Sequence, residues 1–293
     1  MAQEPQEFIS YLTHEVRTSL TQVLGYVETI YDANQTVRER FKSLSRVKQI
    51  VGEADLFLKD LEHLCLLESG RLSIRSRRCR LEEIISETYA FLRAQANRRE
   101  LSLELMSEGE LPETILTDPL RVRQMLLNVV WSMIRRAERG IIRITARMSE
   151  ENGAPKVELK VDSATSAFTK VELEFLTQTD PQSPFDIPAM KGRVAIGFSL
   201  VNKLAHALGG AVSFENSSLG SGVAVKITVD PGPLAGVVMR PNLALDTNDL
   251  ESIRGLTIPN LEGFKFLVVD DDPDVGELLK HFLTKAKAEV DVV

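Results

Sequence analysis

The chain has 293 residues, of which 43% are hydrophobic and 26% charged, a globular composition that excludes wholesale disorder. Its 35 lysines and arginines against 42 acidic residues give a net charge of −7, which excludes a global basic surface for nucleic acid. Two cysteines are too few for a disulfide framework, and no run of about 18 apolar residues predicts a membrane span. We therefore expect a cytoplasmic protein of two or more domains.

Residues 1–75 carry the pattern of a helical hairpin. Apolar side chains recur in steps of three and four over residues 8–30 and again over residues 41–65, and residues 32–35, which interrupt this pattern, predict the turn between them. A lone hairpin buries little apolar surface, whereas two copies form a four-helix bundle. We therefore expect a homodimer with twofold symmetry.

Helices and strands alternate from residue 76 to residue 231. Helical patterns occupy residues 81–96, 118–136 and 196–208, and strand patterns occupy residues 102–106, 141–147, 157–161, 212–215 and 223–229. This order predicts an α/β sandwich, a sheet covered by helices on one face. Residues 232–263, rich in proline and glycine at their start, predict a linker, and residues 264–293 predict a further strand, helix and strand.

His14 is a candidate nucleophile on the first helix. It lies two residues from both Leu12 and Val16, so it projects from the polar face of the helix. Glu15 is adjacent, and Thr18 lies one turn along the same face. An exposed imidazole beside a carboxylate can attack once its proton is accepted, although a lone histidine is more often an ordinary surface residue. Such neighbours are missing around the other three histidines, His63, His206 and His281.

Residues 8–20, FISYLTHEVRTSL, resemble the phosphoacceptor box of sensor histidine kinases. The segments at residues 66–73, 81–96 and 118–128 follow in that family's order and spacing. The resemblance implies an α+β multi-domain fold, in which a dimerising histidine hairpin precedes an ATP-binding sandwich. It also implies that His14 is the phosphoacceptor, Glu15 its general base and Thr18 the residue that orients water for dephosphorylation. Ser19 replaces the usual proline, which should leave the helix straighter.

The same resemblance assigns a nucleotide pocket in which some of the family's residues are kept and others are replaced. Asn128 occupies the first family asparagine, but Ser132 stands at the second, which generally holds magnesium, and a hydroxyl is the weaker ligand. Arg135 keeps the charge of a common lysine, and Asp162 matches the aspartate that reads adenine.

Glycines that let the backbone approach a nucleotide are partly replaced. The two family glycines after the aspartate are Ala164 and Ser166, and the glycine-rich lid end keeps Gly192 and Gly197 but has Ala195 between them. A closing turn with Gly220 and Gly222 is intact. Together these changes remove a metal ligand and three glycines from one pocket. We therefore expect ATP and Mg²⁺, the cofactors that the family implies, to bind weakly.

Residues 264–273, FKFLVVDDDP, resemble the opening of a receiver domain. Asp270 and Asp271 match the carboxylates that hold magnesium in that family. A receiver is a doubly wound domain of about one hundred residues, and only thirty follow residue 263. We therefore expect a truncated receiver fragment whose metal site does not function, with the phosphoacceptor aspartate and the later lysine beyond Val293.

These assignments favour a dimeric, hybrid-histidine-kinase-like protein of two-component signalling, in which His14 exchanges phosphate with a receiver domain. Two alternatives stay open, an ATP-dependent sensor histidine kinase and a non-catalytic regulatory partner of another kinase. Whether the chain is an enzyme is therefore undecided. Retention of His14, Glu15 and Thr18 favours the first two hypotheses, since a pure scaffold does not need them.

Overall fold

A computed structural model describes residues 3–165, 168, 172, 193–241, 260–270 and 272–293. It forms two units, Met1–Leu245 and Asp246–Val293, which are described separately. The elements of the first unit are, in chain order, α1 (Gln3–Tyr31), α2 (Val37–Glu68), β1 (Arg77–Arg80), α3 (Leu81–Asn97), β2 (Leu101–Glu108), β3 (Leu111–Pro112), β4 (Thr114–Thr117), α4 (Pro119–Arg136), β5 (Gly140–Glu151), β6 (Ala154–Ser163), α5 (Arg193–Ala207), β7 (Val212–Asn216), β8 (Val223–Val229) and β9 (Met239–Arg240).

Helices α1 and α2 form the predicted hairpin. Helix α2 begins at a capping box, because the Thr36 hydroxyl accepts a hydrogen bond from the Glu39 amide at 3.3 Å and the Thr36 amide donates to the Glu39 carboxylate at 2.8 Å. Across the hairpin, the Thr29 hydroxyl donates to the buried Ser43 hydroxyl at 3.0 Å. These contacts fix the end of the hairpin at which the chain reverses.

A five-stranded sheet in the order β2-β5-β6-β8-β7 forms the base of the predicted sandwich. Strands β2 and β5 are parallel, and the other neighbours are antiparallel. Strands β5 and β6 are longer than the sequence patterns predict, because Asn152 and Gly153, both with positive φ, join them in a two-residue turn. The core between the sheet and helices α3, α4 and α5 is apolar, and its fully buried side chains include Ile85, Leu92, Met125, Leu126, Met133, Ile142 and Ile144.

Asp118 fixes the start of α4. One of its carboxylate oxygens accepts the backbone amides of Leu120 and Arg121, and the other accepts the amide of Arg75 at 2.9 Å. Pro119 occupies the first helical turn, where its missing N–H has no partner to lose. Asp118 therefore caps α4 and also ties it to the segment that leaves the hairpin.

Two small sheets lie outside the predicted elements. Strand β1 pairs with β4, and β3 pairs with β9. The β9 pairing places Arg240 beside Glu113, with 2.9 Å between the guanidinium and the carboxylate. The first part of the segment predicted as a linker is therefore paired with the sandwich as far as Arg240.

The second unit has strands β10 (Lys265–Val268) and β11 (Glu289–Val292) with helix α6 (Pro273–Lys285) between them. The two strands are parallel, which is how a doubly wound domain begins. Its apolar side chains Leu267, Val269 and Phe282 are exposed. The assignment of this unit to a receiver domain stays a prediction.

Both helices of the hairpin carry exposed apolar side chains. Leu20 and Leu24 on α1 and Phe41, Leu44 and Val51 on α2 are all exposed, with Phe41 at 67%. Continuous apolar patches of this kind usually mark an interface. This surface supports the predicted four-helix bundle between two copies.

Replacing Phe41 and Leu44 together by glutamate is expected to weaken self-association at least about tenfold, because two carboxylates would enter the apolar centre of the bundle. Sedimentation velocity over a concentration series measures this change. Leu120→Glu is the matched control, since Leu120 is equally exposed, at 68%, but lies on α4. A native chain that is monomeric at micromolar concentration would contradict the bundle.

Candidate functional site

His14 lies on an unbroken stretch of α1 and is exposed, with Glu15 half-buried beside it. The Thr18 hydroxyl donates to the carbonyl oxygen of His14 at 2.8 Å, and the buried Ser19 hydroxyl donates to that of Glu15 at 3.0 Å. The helix therefore continues through the position where the resemblance expects a proline. The imidazole is open to a partner on the outer surface of the hairpin.

Three assigned residues of the nucleotide pocket share one face of α4. Asn128, Ser132 and Arg135 follow steps of four and three, and they line one cleft together with Gly197 of α5. The opposite wall of this cleft is helix α2. The open volume between the walls is about 50 Å³, which is far below the several hundred Å³ of an ordinary small-molecule site.

Asp60 on α2 is bound by the side chains of this face. Its Oδ1 accepts hydrogen bonds from the amide nitrogens of Asn128 at 3.1 Å and Gln124 at 3.2 Å. The Gln124 amide nitrogen also lies 2.9 Å from Nδ1 of His63. Burial raises the pKa of Asp60 to about 6, against the opposing effect of the two amide hydrogen bonds. We name this group, Asp60 with Gln124, Asn128 and His63, the α2–α4 latch.

Sequence reasoning missed the latch. His63 was assigned no role, and a single aspartate on an amphipathic helix carries no motif. One signal was present, because Asp60 lies between Phe57, Leu61 and Leu64, all of them buried. A carboxylate within an apolar stripe indicates a buried polar partner.

Asp162, assigned to adenine recognition, is 2% exposed at the end of β6. Its Oδ1 accepts the Ser217 hydroxyl, and its Oδ2 accepts both the hydroxyl and the amide of Ser218. Burial would raise the pKa of Asp162, but these hydrogen bonds, together with the charge of Lys160, hold it below its usual value. Both oxygens of the carboxylate are therefore engaged by the protein itself.

The retained glycines of the closing turn have a packing role. A Cβ at Gly222 would overlap the carbonyl oxygen of Ser163, and a Cβ at Gly220 would overlap that of Ala164. The Gly222 amide donates to the Ala164 carbonyl at 3.1 Å. Backbone contact alone is enough to require glycine at both positions.

The remaining assigned residues are described only in part. Ser166, Gly192 and Asp271 lie outside the described residues, as does the side chain of Ala195. Asp270 is exposed in the second unit. Among the residues described, no three histidine, cysteine or acidic side chains are grouped to hold a metal ion.

The end of α4 also contacts the beginning of the segment that follows β6. The Arg136 guanidinium lies 4.5 Å from the ring centroid of Phe168 and forms an ion pair with Glu172. Phe168 in turn packs edge-on against Phe198 of α5. Over the described part of the chain, no helix is both long and apolar enough to cross a membrane.

Comparison with known proteins finds histidine kinases among the relatives of the chain. No protein family model matches the chain. Signal transduction histidine-protein kinase BarA of Shigella flexneri is 23% identical over 285 residues, which cover 97% of the chain and 29% of BarA. Sensor histidine kinase GacS of Pseudomonas protegens is 23% identical over 288 residues, with the same two coverages. The chain therefore spans less than a third of the length of these curated relatives.

Solved structures share the fold. Full-length ShkA in complex with AMPPNP has a TM-score of 0.51 and 19% identity, covering 98% of the chain and 55% of ShkA. Histidine kinase ThkA in complex with the response regulator protein TrrA has a TM-score of 0.51 and 17% identity, covering 78% of the chain and 62% of ThkA.

A helical hairpin followed by an α/β sandwich is the fold that the chain shares with these solved structures. In sequence the chain is similar to sensor histidine kinases such as BarA and GacS.

The α2–α4 latch predicts how the stability of the folded chain changes with pH. The pKa of Asp60 in the folded chain is about 6, above the ordinary aspartate value of 3.8, so the folded state gains stability at low pH and loses it as pH rises through 6. Between about pH 4.5 and about pH 7.5 this loss is about 2 kcal/mol. Asp60→Asn keeps an oxygen that accepts both amides and should remove the loss.

Chemical denaturation at several pH values measures this difference between the native chain and the variant. Asp55→Asn is the control, because Asp55 lies on the same helix but is exposed and paired with Lys59. Parallel pH profiles for the native chain and Asp60→Asn would show that Asp60 is not buried as described.

Proposed function

We propose that the chain is a dimeric phosphotransfer protein of two-component signalling, in which His14 exchanges a phosphoryl group with the receiver domain of a partner while its own ATP site is weakened. The observation that supports this most directly is a contrast between two sites. The imidazole of His14 is exposed, whereas Asn128 and Asp162 are engaged by Asp60, Ser217 and Ser218 of the same chain.

The proposed reaction is a simple exchange of bonds. A ring nitrogen of His14 attacks the phosphorus of the receiver's aspartyl phosphate, so that an N–P bond forms while the O–P bond breaks and its electron pair leaves on the aspartate oxygen. Glu15, adjacent on α1, is assigned to accept the proton of the imidazole. The receiver brings its own metal ion, which neutralises charge on the transferred group. The reverse reaction returns the phosphoryl group to the receiver.

The residues of the pocket do not fit ATP and Mg²⁺ in this arrangement. Bound Mg·ATP would supply the phosphoryl group, with the metal neutralising its charge. The second asparagine position holds the buried hydroxyl of Ser132, and the carboxylate of Asp162 already accepts three hydrogen bonds. Helix α2 fills the space in front of Asn128. We therefore assign no step of the reaction to ATP.

Two structural neighbours bear on the choice between a receiver and ATP as the source of the phosphoryl group. ShkA was solved with AMPPNP, and ThkA was solved with a response regulator protein. The first keeps the ATP-dependent kinase as the competing hypothesis, and the second supports a receiver as the partner. Because receivers and ATP both belong to the cytoplasm, the proposed reaction would take place there.

Two labelling assays test the proposal. Radiolabel from ATP with Mg²⁺ should enter the chain slowly or not at all, whereas label from a phosphorylated receiver should enter readily, because only the second reaction avoids the pocket. His14→Gln should abolish the second signal and keep the fold, since His14 is exposed. Glu15→Gln should slow the transfer by about tenfold or more, as expected for loss of a proton acceptor.

Restoring the family residues provides the matched gain-of-function variant. Ser132→Asn combined with Ala164→Gly should raise ATP binding and ATP-dependent labelling above those of the native chain. Strong His14-dependent labelling of the native chain from ATP would instead establish an ordinary kinase. Failure of both assays would favour the non-catalytic regulatory partner.

A further inference from the structure

A second concave surface, which we name the basic groove, lies between the beginning of α2 and the ends of α3 and α4. Its volume is about 1140 Å³, and its lining residues include seven that are basic and one, Glu138, that is acidic. The chain as a whole carries a net charge of −7. The groove is therefore a positively charged surface on a protein whose net charge is negative.

The hairpin contributes one wall of this groove. Arg38, Lys42 and Arg46 follow each other at intervals of four residues along α2, so they form one stripe facing the sandwich. Arg46 donates to the side-chain oxygen of Gln49 at 3.0 Å, which holds it along the helix. Like charges at this spacing repel one another and do not stabilise the helix.

The sandwich contributes the facing wall. Arg98 and Arg99 follow the end of α3, and Arg135 lies in the last turn of α4. The Arg99 guanidinium donates to the carbonyl oxygens of Ile134 and Arg135, which joins the ends of the two helices. Arginines are thus held on a framework of three helices around a single concave space.

Cations on both walls of the groove lack an acidic counterpart among the described residues, although Arg136 is paired with Glu172. No carboxylate among the described residues forms an ion pair with Arg38, Arg46 or Arg98. Several cations around one cleft raise each other's free energy, and a multivalent anion between them would reverse that effect. A long polyanion is disfavoured, because the rest of the chain is negative.

We propose that the basic groove binds a small phosphate compound with several negative charges, of the polyphosphate or nucleoside polyphosphate class. The planar guanidinium groups match phosphate oxygens in pairs. Trp131 also lines the groove and offers an aromatic ring on which a base can stack. The volume fits a ligand of nucleotide size.

This binding would connect two parts of the chain. Phosphate groups held between Arg46 of the hairpin and Arg98 of the sandwich would draw α2 toward the ends of α3 and α4, on the same side as the latch. The ligand therefore favours the arrangement in which α2 covers Asn128. The site does not depend on the proposed phosphotransfer, and His14→Gln should bind the ligand as tightly as the native chain.

Isothermal titration of the full chain with inorganic tripolyphosphate and, separately, with GTP tests the proposal and distinguishes its two ligand sources. Both should bind, and tighter binding of GTP shows that the base contributes. Arg46→Gln combined with Arg98→Gln should weaken binding of each probe at least about tenfold, since two of the phosphate contacts are lost. Added salt should weaken binding further, because the charges are exposed.

Lys48→Gln combined with Arg93→Gln is the matched control. These two cations are exposed on α2 and α3 but do not line the groove, and the control should bind both probes as the native chain does. Absence of binding by both probes, or equal loss in the two double variants, overturns the proposal. GTP binding that survives Arg46→Gln with Arg98→Gln would belong to the nucleotide pocket and also count against the groove. If only binding of a partner receiver depends on Arg46 and Arg98, the groove is a protein-docking surface and the proposal is wrong.

Discussion

The carboxyl group of Asp60 lies where helix α2 of the hairpin meets helix α4 of the sandwich, and it joins α2 to the wall of the candidate nucleotide pocket. It accepts two amide hydrogen bonds, one of them from Asn128, in a half-buried position. Each such bond contributes about 1 kcal/mol, and the desolvation of a charged carboxylate opposes them. The polar contact is therefore closely balanced, and the burial of Phe57, Leu61 and Leu64 stabilises the position of α2. Because α2 covers the pocket when it contacts α4, access to the pocket changes together with the position of the hairpin.

Local periodicity explains why the large elements could be predicted. The hairpin and the helices of the sandwich follow from patterns within single segments, and the register of His14 follows from its neighbours. Strands β1 and β9 could not be found this way, because each exists through a partner far along the chain, as Met239 opposite Pro112 illustrates. The role of Asp60 could not be predicted for the same reason, since tertiary packing brings its partners Gln124 and Asn128 to it. The Asn152-Gly153 turn is different, because an Asn-Gly pair is a local signal for a two-residue hairpin.

The pocket shows that keeping a family residue and keeping its role are different matters. Asp162 is retained, yet its two oxygens accept Ser217 and Ser218. Gly220 and Gly222 are retained, yet close approach to the backbone of residues 163 and 164 is sufficient reason for both. A motif records which residue type is tolerated. The contacts of that residue in the fold decide what it can still bind.

Helix α2 has three faces with separate neighbours. Phe41, Leu44 and Val51 form an exposed apolar face, Phe57, Leu61 and Leu64 are buried, and a basic stripe lines the groove. Most surface helices can drift in sequence on the side that meets only water. On these three faces of α2, a substitution that suits one neighbour also shifts or recharges the helix for the other two. Evolution of α2 is therefore expected to proceed by coupled changes, and its surfaces will diverge together rather than one at a time.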